Sequence, residues 1–324
     1  MVESLPAQHE AKAGAPAAPA APKYLSLSGK LTPWHEATVH ITQVGWTAIS
    51  AVFEGIRAYW NTEAKRLYVF QLDQHLKRFA NSMKVMRMAP PLTESEIGAQ
   101  IVNLLKANEL AEDAYVQPLA FFSGSVPGYR AVEVPTTEIL ITARPSPSAL
   151  LTGRVNHCCI STWVRLADNM MPPRVKALAN YQNSRMVSQE ARVNGYDAGI
   201  ILNNAGKVAE GAAACIYIIR DGVAITPPVT AGILESITRE VVRELLEKDL
   251  HVPVVERDID RTELYIANEA FFCGTMAEIT PIVSVDRYNL ADGQVGPITA
   301  EIEKRYHDIV RGLDERYRQW LTEV

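Results

Sequence analysis

Midway along this 324-residue chain lies Arg144-Pro-Ser-Pro-Ser-Ala-Leu-Leu-Thr-Gly153, and this segment sets what the rest can fold into. Proline lacks the amide hydrogen that an element interior needs, and serine and glycine favour turns, so no helix or strand is expected to run through it. The halves it separates are patterned differently. Before it, β-rich runs at 37–42, 49–60, 67–71, 114–122 and 137–143 surround two helical segments. One is Gln74–Met86, with Leu76, Phe79, Met83 and Met86 on one face, and the other is Glu94–Asn108. After it, strands at 154–163, 198–204, 213–219, 223–226 and 269–274 interleave with helices at 178–194, 236–248, 261–265 and 297–322, without a strict βαβ repeat. The expected organisation is an α/β chain in parts. Residues 1–22 form a disordered Ala/Pro-rich tail, 23–144 a small α+β domain, 145–153 an interdomain loop and 154–324 a larger α/β domain, with any ligand at the junction.

Composition removes several classes of function. A net charge of −5 gives no attraction for nucleic acid or an anionic membrane. The four cysteines, two of them adjacent (Cys158, Cys159), form neither a disulfide framework nor a CxxC metal pattern. No apolar run is long enough to span a bilayer, and the N-terminus lacks a basic stretch followed by an apolar core. The expectation is a cytoplasmic globular enzyme without a metal.

Four segments carry chemistry. Arg-Val-Lys-Ala-Leu-Ala-Asn-Tyr (174–181) presents Lys176, an amine able to condense with an aldehyde and to carry a proton. Val-Ala-Glu-Gly (208–211) presents Glu210, a carboxylate able to keep a ring nitrogen protonated. Ser236-Ile237-Thr238-Arg239 opens a helix whose first-turn N–H groups make an anion site, and Arg78 could add a permanent charge. At Gly274-Thr275 an apolar strand breaks and exposes backbone donors. Read singly, these are a surface lysine, a turn glutamate, a capped helix and a turn. Read together, they are what pyridoxal phosphate needs from a protein.

In this order the segments resemble the class IV pyridoxal-phosphate aminotransferases (fold type IV), most closely the branched-chain amino acid aminotransferases, over about residues 30–310. The stretches are Val-Phe-Glu-Gly-Ile-Arg (52–57), Asp-Gln-His-Leu-Lys-Arg-Phe (73–79), Tyr-Val-Gln-Pro (115–118), Lys-Ala-Leu-Ala-Asn-Tyr (176–181), Glu-Gly (210–211), Gly-Val-Ala-Ile-Thr-Pro-Pro (222–228), Ile-Thr-Arg (237–239) and Gly-Thr-Met-Ala-Glu-Ile-Thr-Pro (274–281). The resemblance implies that Lys176 is the cofactor lysine, that Glu210 faces the pyridine nitrogen and that Tyr181 meets the phenolic oxygen. It places Arg78, Ile237, Thr238 and Thr275 at the phosphate. Tyr115 and the Met276–Ala277 backbone fall near the substrate carboxylate, with Phe53, Gly55 and Arg57 on a pocket strand. The fold implied is two domains, the larger a pseudo-barrel that binds the cofactor, with the site at their junction and at least a homodimer. The activity implied is ping-pong transamination between an amino donor and a 2-oxo acid acceptor.

The chain also departs from that family. Thr47-Ala48-Ile49 stands where a His-Tyr-Gly segment is usual, and Gln117 where an arginine is usual. Met276 replaces an alanine, Glu210-Gly-Ala-Ala-Ala-Cys215 replaces Glu-Gly-x-Gly-x-Asn, and Glu235-Ser236 replaces Pro-Gly. These positions, Ala48, Gln117 and Met276 above all, fall where the substrate should sit. The first expectation is therefore a transaminase for branched-chain or other apolar amino acids. The alternative on the same fold is an (R)-selective amine or β-amino acid transaminase, or a D-amino acid aminotransferase.

Overall fold

A computed structural model describes residues 21–41, 44–123 and 136–324. The tail expected over 1–22 lies outside these residues except for its last two. The first half runs β1 (Tyr24–Leu27), β2 (Lys30–Pro33), α1 (Val44–Ser50), β3 (Val52–Phe53), β4 (Ile56–Asn61), β5 (Arg66–Phe70), α2 (Leu72–Val85), α3 (Glu94–Ala107), β6 (Ala114–Ser123) and β7 (Thr136–Pro145). The second half opens with β8 (Asn156–Val164), α4 (Tyr181–Val193), β9 (Ala198–Leu202), β10 (Val208–Gly211), β11 (Cys215–Arg220) and β12 (Val223–Thr226). It closes with α5 (Ile237–Lys248), β13 (Val254–Glu256), β14 (Glu269–Gly274), β15 (Glu278–Val285), β16 (Tyr288–Asn289), α6 (Pro297–Val310) and β17 (Leu321–Glu323).

The strands form two sheets. The first has the order β17-β5-β4-β6-β7-β1-β2, with β3 on β6, and is antiparallel throughout. The second has the order β10-β9-β8-β15-β14-β11-β12-β13, with β16 on β15, and its β8–β9, β8–β15 and β12–β13 pairs are parallel. An antiparallel α+β half and a mixed α/β half is the fold class the sequence implied.

Helix α2 forms because Leu72, Leu76, Phe79 and Met83 recur at helical spacing and are all buried. Helix α3 starts at a reciprocal cap: the Thr93 hydroxyl accepts the Glu96 N–H at 3.3 Å, and the Glu96 carboxylate accepts the Thr93 N–H at 2.8 Å. Its Ile97, Ile101, Leu104 and Leu105 join the α2 face to cover one side of the first sheet. Phe79 is 1% exposed in that layer. Phe79→Ala is expected to cost about 3–5 kcal/mol, read as a lower urea midpoint at unchanged slope.

Three expected elements are corrected. Residues 37–40 carry no regular structure, and Val39 and Ile41 are exposed, so the strand expected at 37–42 does not form among the described residues of that span. The run 49–60 is not one strand: α1 extends to Ser50, and Glu54-Gly55 separates β3 from β4. Crowding explains the glycine, since a Cβ there would lie 2.4 Å from the Tyr115 hydroxyl. The helix expected at 297–322 stops at Val310, where Gly312 turns back at φ +71° and donates its N–H to the Ile309 carbonyl at 3.0 Å. A 3-10 segment, Glu315–Trp320, then leads into β17. Because β17 pairs with β5, the chain's last residues lie on the first sheet, not the second.

Two connections fix how the halves meet. The Phe53 N–H donates to the Lys176 carbonyl at 2.9 Å, the Leu178 N–H donates to the Ala51 carbonyl at 2.9 Å, and Val52 bridges Ala177. On another side, buried Glu278 accepts from the Ser148 hydroxyl and the Ala149 N–H, both at 2.7 Å, and so holds the proline-rich connection against the Gly274–Ala277 turn.

Candidate active site

A cavity with about 850 Å³ of open space, part of it continuous with solvent, lies between the two sheets. Phe53, Gly55, Arg78 and Tyr115 line it from the first half. Lys176, Tyr181, Glu210 and the Gly274-Thr275-Met276 turn line it from the second. These ten residues, all singled out from sequence, thus line one cavity.

Lys176 sits at the end of the short bridge to β3, which fixes its backbone while the side chain projects into the cavity. Its backbone N–H donates to the Ser82 hydroxyl at 3.3 Å, and its ammonium donates to the Tyr181 hydroxyl at 2.6 Å. Nζ lies 4.7 Å from the Phe53 ring centroid and 5.1 Å from that of Tyr181, and the two rings meet edge-on at 4.9 Å. Two aromatic faces and a phenol aim a mobile amine at one point.

Glu210 enters from β10, whose four residues are all buried. Burial pushes its carboxyl up from the usual range, opposed by Arg165 and by the Leu234 N–H. Arg165 Nη2 lies 2.8 Å from Glu210 Oε1, its Nε–H donates to the Gly232 carbonyl at 2.9 Å, and Leu234 N–H donates to Glu210 Oε2 at 3.2 Å. A buried carboxylate with an arginine behind it presents negative charge to whatever lies in front.

Arg78 is held as firmly. Its Nε and Nη2 donate to the two Glu54 oxygens at 2.7 and 2.8 Å, and Nη1 donates to the Glu235 carbonyl at 2.7 Å. His75 Nδ1 meets the same Glu54 at 2.8 Å. Burial works to raise the Glu54 carboxyl, yet Arg78 and His75 hold it well below the usual carboxylate range, whereas burial pushes His75 down. The guanidinium is thereby aimed at the start of α5. There Ser236 caps by accepting the Arg239 N–H at 3.2 Å, and the Ile237 and Thr238 N–H groups open the first turn.

Other expected residues lie elsewhere. Ile237, Thr238 and Ala277 adjoin lining residues without lining the cavity themselves; the Thr238 side chain is buried. Arg57 is not on the cavity wall: its Nε lies 3.5 Å from Glu278 and its Nη2 donates to the Ser146 carbonyl at 2.6 Å. Buried at 3% exposure, it braces the two halves. Gln117 follows Tyr115 on the same face of β6, beyond the wall, and Ala48 is exposed on α1. Sequence reasoning missed Glu54, His75, Arg165 and Glu278. Glu54 lay inside a quoted stretch, Phe-Glu-Gly, where a charge among apolar neighbours was the available signal.

The chain matches the family "Amino-transferase class IV" over residues 51–285. It is 39% identical to a probable branched-chain-amino-acid aminotransferase of Aquifex aeolicus, with 92% of this chain and 96% of that protein covered. A branched-chain-amino-acid aminotransferase of Salmonella typhimurium is 34% identical over 93% of this chain and 97% of its own length. Among solved structures, the branched-chain amino acid aminotransferase from Thermobaculum terrenum in its PLP form superposes with a TM-score of 0.91 at 46% identity, covering 94% of this chain and 98% of that one. The protein therefore belongs to the class IV aminotransferases, enzymes that work with pyridoxal 5'-phosphate. The donor set fits that cofactor: a lysine amine, a buried carboxylate and an arginine beside a helix start line one cavity.

Proposed function

We propose that this aminotransferase moves the amino group of a branched-chain or other apolar L-amino acid to a 2-oxo acid by a ping-pong mechanism. The observation that carries the reading is the Lys176 amine, 2.6 Å from the Tyr181 hydroxyl, in one cavity with the Glu210–Arg165 pair. When bound, pyridoxal 5'-phosphate supplies an aldehyde carbon and an electron-withdrawing ring. Lys176 would hold the cofactor through its amine and, as the lysine of the cavity wall, would carry the proton of the donor's Cα. Tyr181 orients that amine and would donate to the ring's phenolic oxygen. Glu210, with Arg165 behind it, would face the ring nitrogen and favour its protonation. Arg78, the Ile237–Thr238 N–H groups and Thr275 would hold the phosphate, with Glu54 fixing Arg78. Phe53 would border the substrate side chain, while Tyr115 and the Met276–Ala277 backbone would stand near the α-carboxylate.

The names of the relatives favour this reading over an (R)-selective amine, β-amino acid or D-amino acid transaminase. A donor panel of L-Leu, L-Ile, L-Val, D-Ala, (R)-1-phenylethylamine and (R)-β-phenylalanine against pyruvate and 2-oxoglutarate tests it. The branched-chain L-amino acids are expected to exceed the other donors by at least about tenfold in kcat/KM. Faster turnover of D-Ala or (R)-1-phenylethylamine overturns the assignment.

A homodimer is part of the proposal. Ile41 and Ile49 are 78% and 58% exposed, and Leu31, Trp34, Val39 and Val44 are exposed beside them in sequence. Such a set is costly to leave in water and suits a self-complementary contact. A cytoplasmic location agrees with four free cysteines and with no described helix long and apolar enough to cross a membrane.

A further inference from the structure

Glu278 stands in a backbone conformation that a glutamate does not favour. The hairpin of β14 and β15 closes on the Gly274–Glu278 pair, with Thr275, Met276 and Ala277 as its turn. Glu278 has φ +52°, in the left-handed region where glycine is unstrained and a residue with a side chain is not. Glycine would fit that backbone, so what justifies a glutamate there is its carboxylate. The residue is 1% exposed, and none of its partners lies in the turn. Oε1 accepts from the Ser148 hydroxyl and Oε2 from the Ala149 N–H, both at 2.7 Å, and Arg57 Nε lies 3.5 Å from Oε1.

Those bonds tie the turn to the opposite wall of the cavity. The Ser148 N–H donates to Asp113 Oδ2 at 3.1 Å, and the Ser146 N–H donates to the Asp113 carbonyl at 2.8 Å. Arg311 donates to both oxygens of the Asp113 carboxylate at 3.0 Å. Asp113 directly precedes β6, whose second residue is Tyr115. A chain of hydrogen bonds thus runs from Glu278 through Ser148 and Asp113 to the strand that carries Tyr115. Within the hairpin, the Thr280 hydroxyl donates to the Ala277 carbonyl at 2.6 Å. Among the described residues, no backbone carbonyl accepts the N–H of Thr275, Met276 or Ala277, so these donors are not spent inside the fold.

We propose that Glu278 is a positioning residue: it holds the 275–277 turn at a fixed distance from Tyr115 and so sets the geometry in which the substrate's carboxylate is bound. The proposed function puts that carboxylate near Tyr115 and the Met276–Ala277 backbone, and the inference rests on that reading. Cofactor-loaded enzyme is titrated calorimetrically with 4-methylpentanoate, an apolar carboxylate without an amine, and KM and kcat are measured for L-Leu. Ser148→Ala removes one of the two bonds to Glu278 and leaves the turn, Arg57 and the cavity wall in place; the same hydroxyl also accepts the Leu150 N–H at 3.2 Å. This variant is expected to weaken 4-methylpentanoate binding and to raise KM by about tenfold, with kcat within a few fold of wild type. Ser148→Thr, which keeps the hydroxyl, is expected to restore both. Glu278→Gly, which relaxes the backbone but gives up both bonds, is expected to weaken binding by about 100-fold. Unchanged binding in Ser148→Ala, a fall in kcat without a rise in KM, or a threonine variant as weak as the alanine overturns the proposal, whether or not Glu278→Gly folds. Wild-type enzyme that turns over no L-amino acid, yet loses 4-methylpentanoate affinity on Ser148→Ala, sinks the proposed function and leaves the positioning role standing.

Discussion

Lys176→Ala is expected to abolish transamination, with a loss of at least about 10⁴-fold in turnover, while the cofactor remains bound after dialysis. The amine has no substitute. Among the described residues of the cavity wall it is the only lysine, and Tyr181, its 2.6 Å partner, is a phenol that cannot condense with an aldehyde. The cofactor stays because its other contacts are independent of Lys176: Arg78 is fixed by Glu54 and the start of α5 by the Ser236 cap. Retained multiple turnover in this variant would end the assignment of Lys176. Loss of the cofactor as well as the activity would instead place most of its affinity in the covalent link.

Glu210→Gln gives the second large effect. The amide keeps the shape of the carboxylate and still accepts from the Leu234 N–H, 3.2 Å away in the native chain. What disappears is the negative charge, and with it the reason for a ring nitrogen to stay protonated. Arg165, left without its carboxylate at 2.8 Å, adds a positive charge that opposes protonation further. A fall in kcat of about a hundredfold, equivalent to ~2.7 kcal/mol of barrier, is expected. Pre-steady-state measurement of the donor half-reaction checks it; an unchanged rate of Cα proton loss shows that Glu210 does not face the ring.

Much of the site was legible because its residues fall in short linear segments. Lys176 and Tyr181 are five apart, Glu210 follows the turn at Asn203–Gly206, and the phosphate donors begin a capped helix, so local pattern and chemistry agree. Glu54, His75, Arg165 and Glu278 were not legible, because each acts through a partner far away in the chain: Glu54 to Arg78, Arg165 to Glu210, Glu278 to Ser148 and Ala149. Arg57 shows the converse. Its place in a pocket-strand stretch suggested a substrate contact, yet its partners are Glu278 and the Ser146 carbonyl. At the level of fold, the amphipathic helices α2, α3 and α5 were readable from their periodicity. Strands β1, β2, β10, β13, β15, β16 and β17 fell outside the expected strand runs. In β15 all eight residues are buried, so it has no alternation to detect, and its Thr280 and Pro281 read as turn residues. The strand expected across 49–60 failed for the opposite reason: β-rich composition hid the break at Gly55, which only the approach of Tyr115 explains.

The pairing of Phe53 with Lys176 has a consequence for how this protein tolerates change. The reactive amine hangs from a peptide whose carbonyl is held by the first sheet and whose following residues lead into α4 of the second. Lys176 is thus a seam, and its alignment is inherited from both halves at once. Neither half can be exchanged, redesigned or drift on its own without retuning the stitch, so the two must vary as one inherited unit.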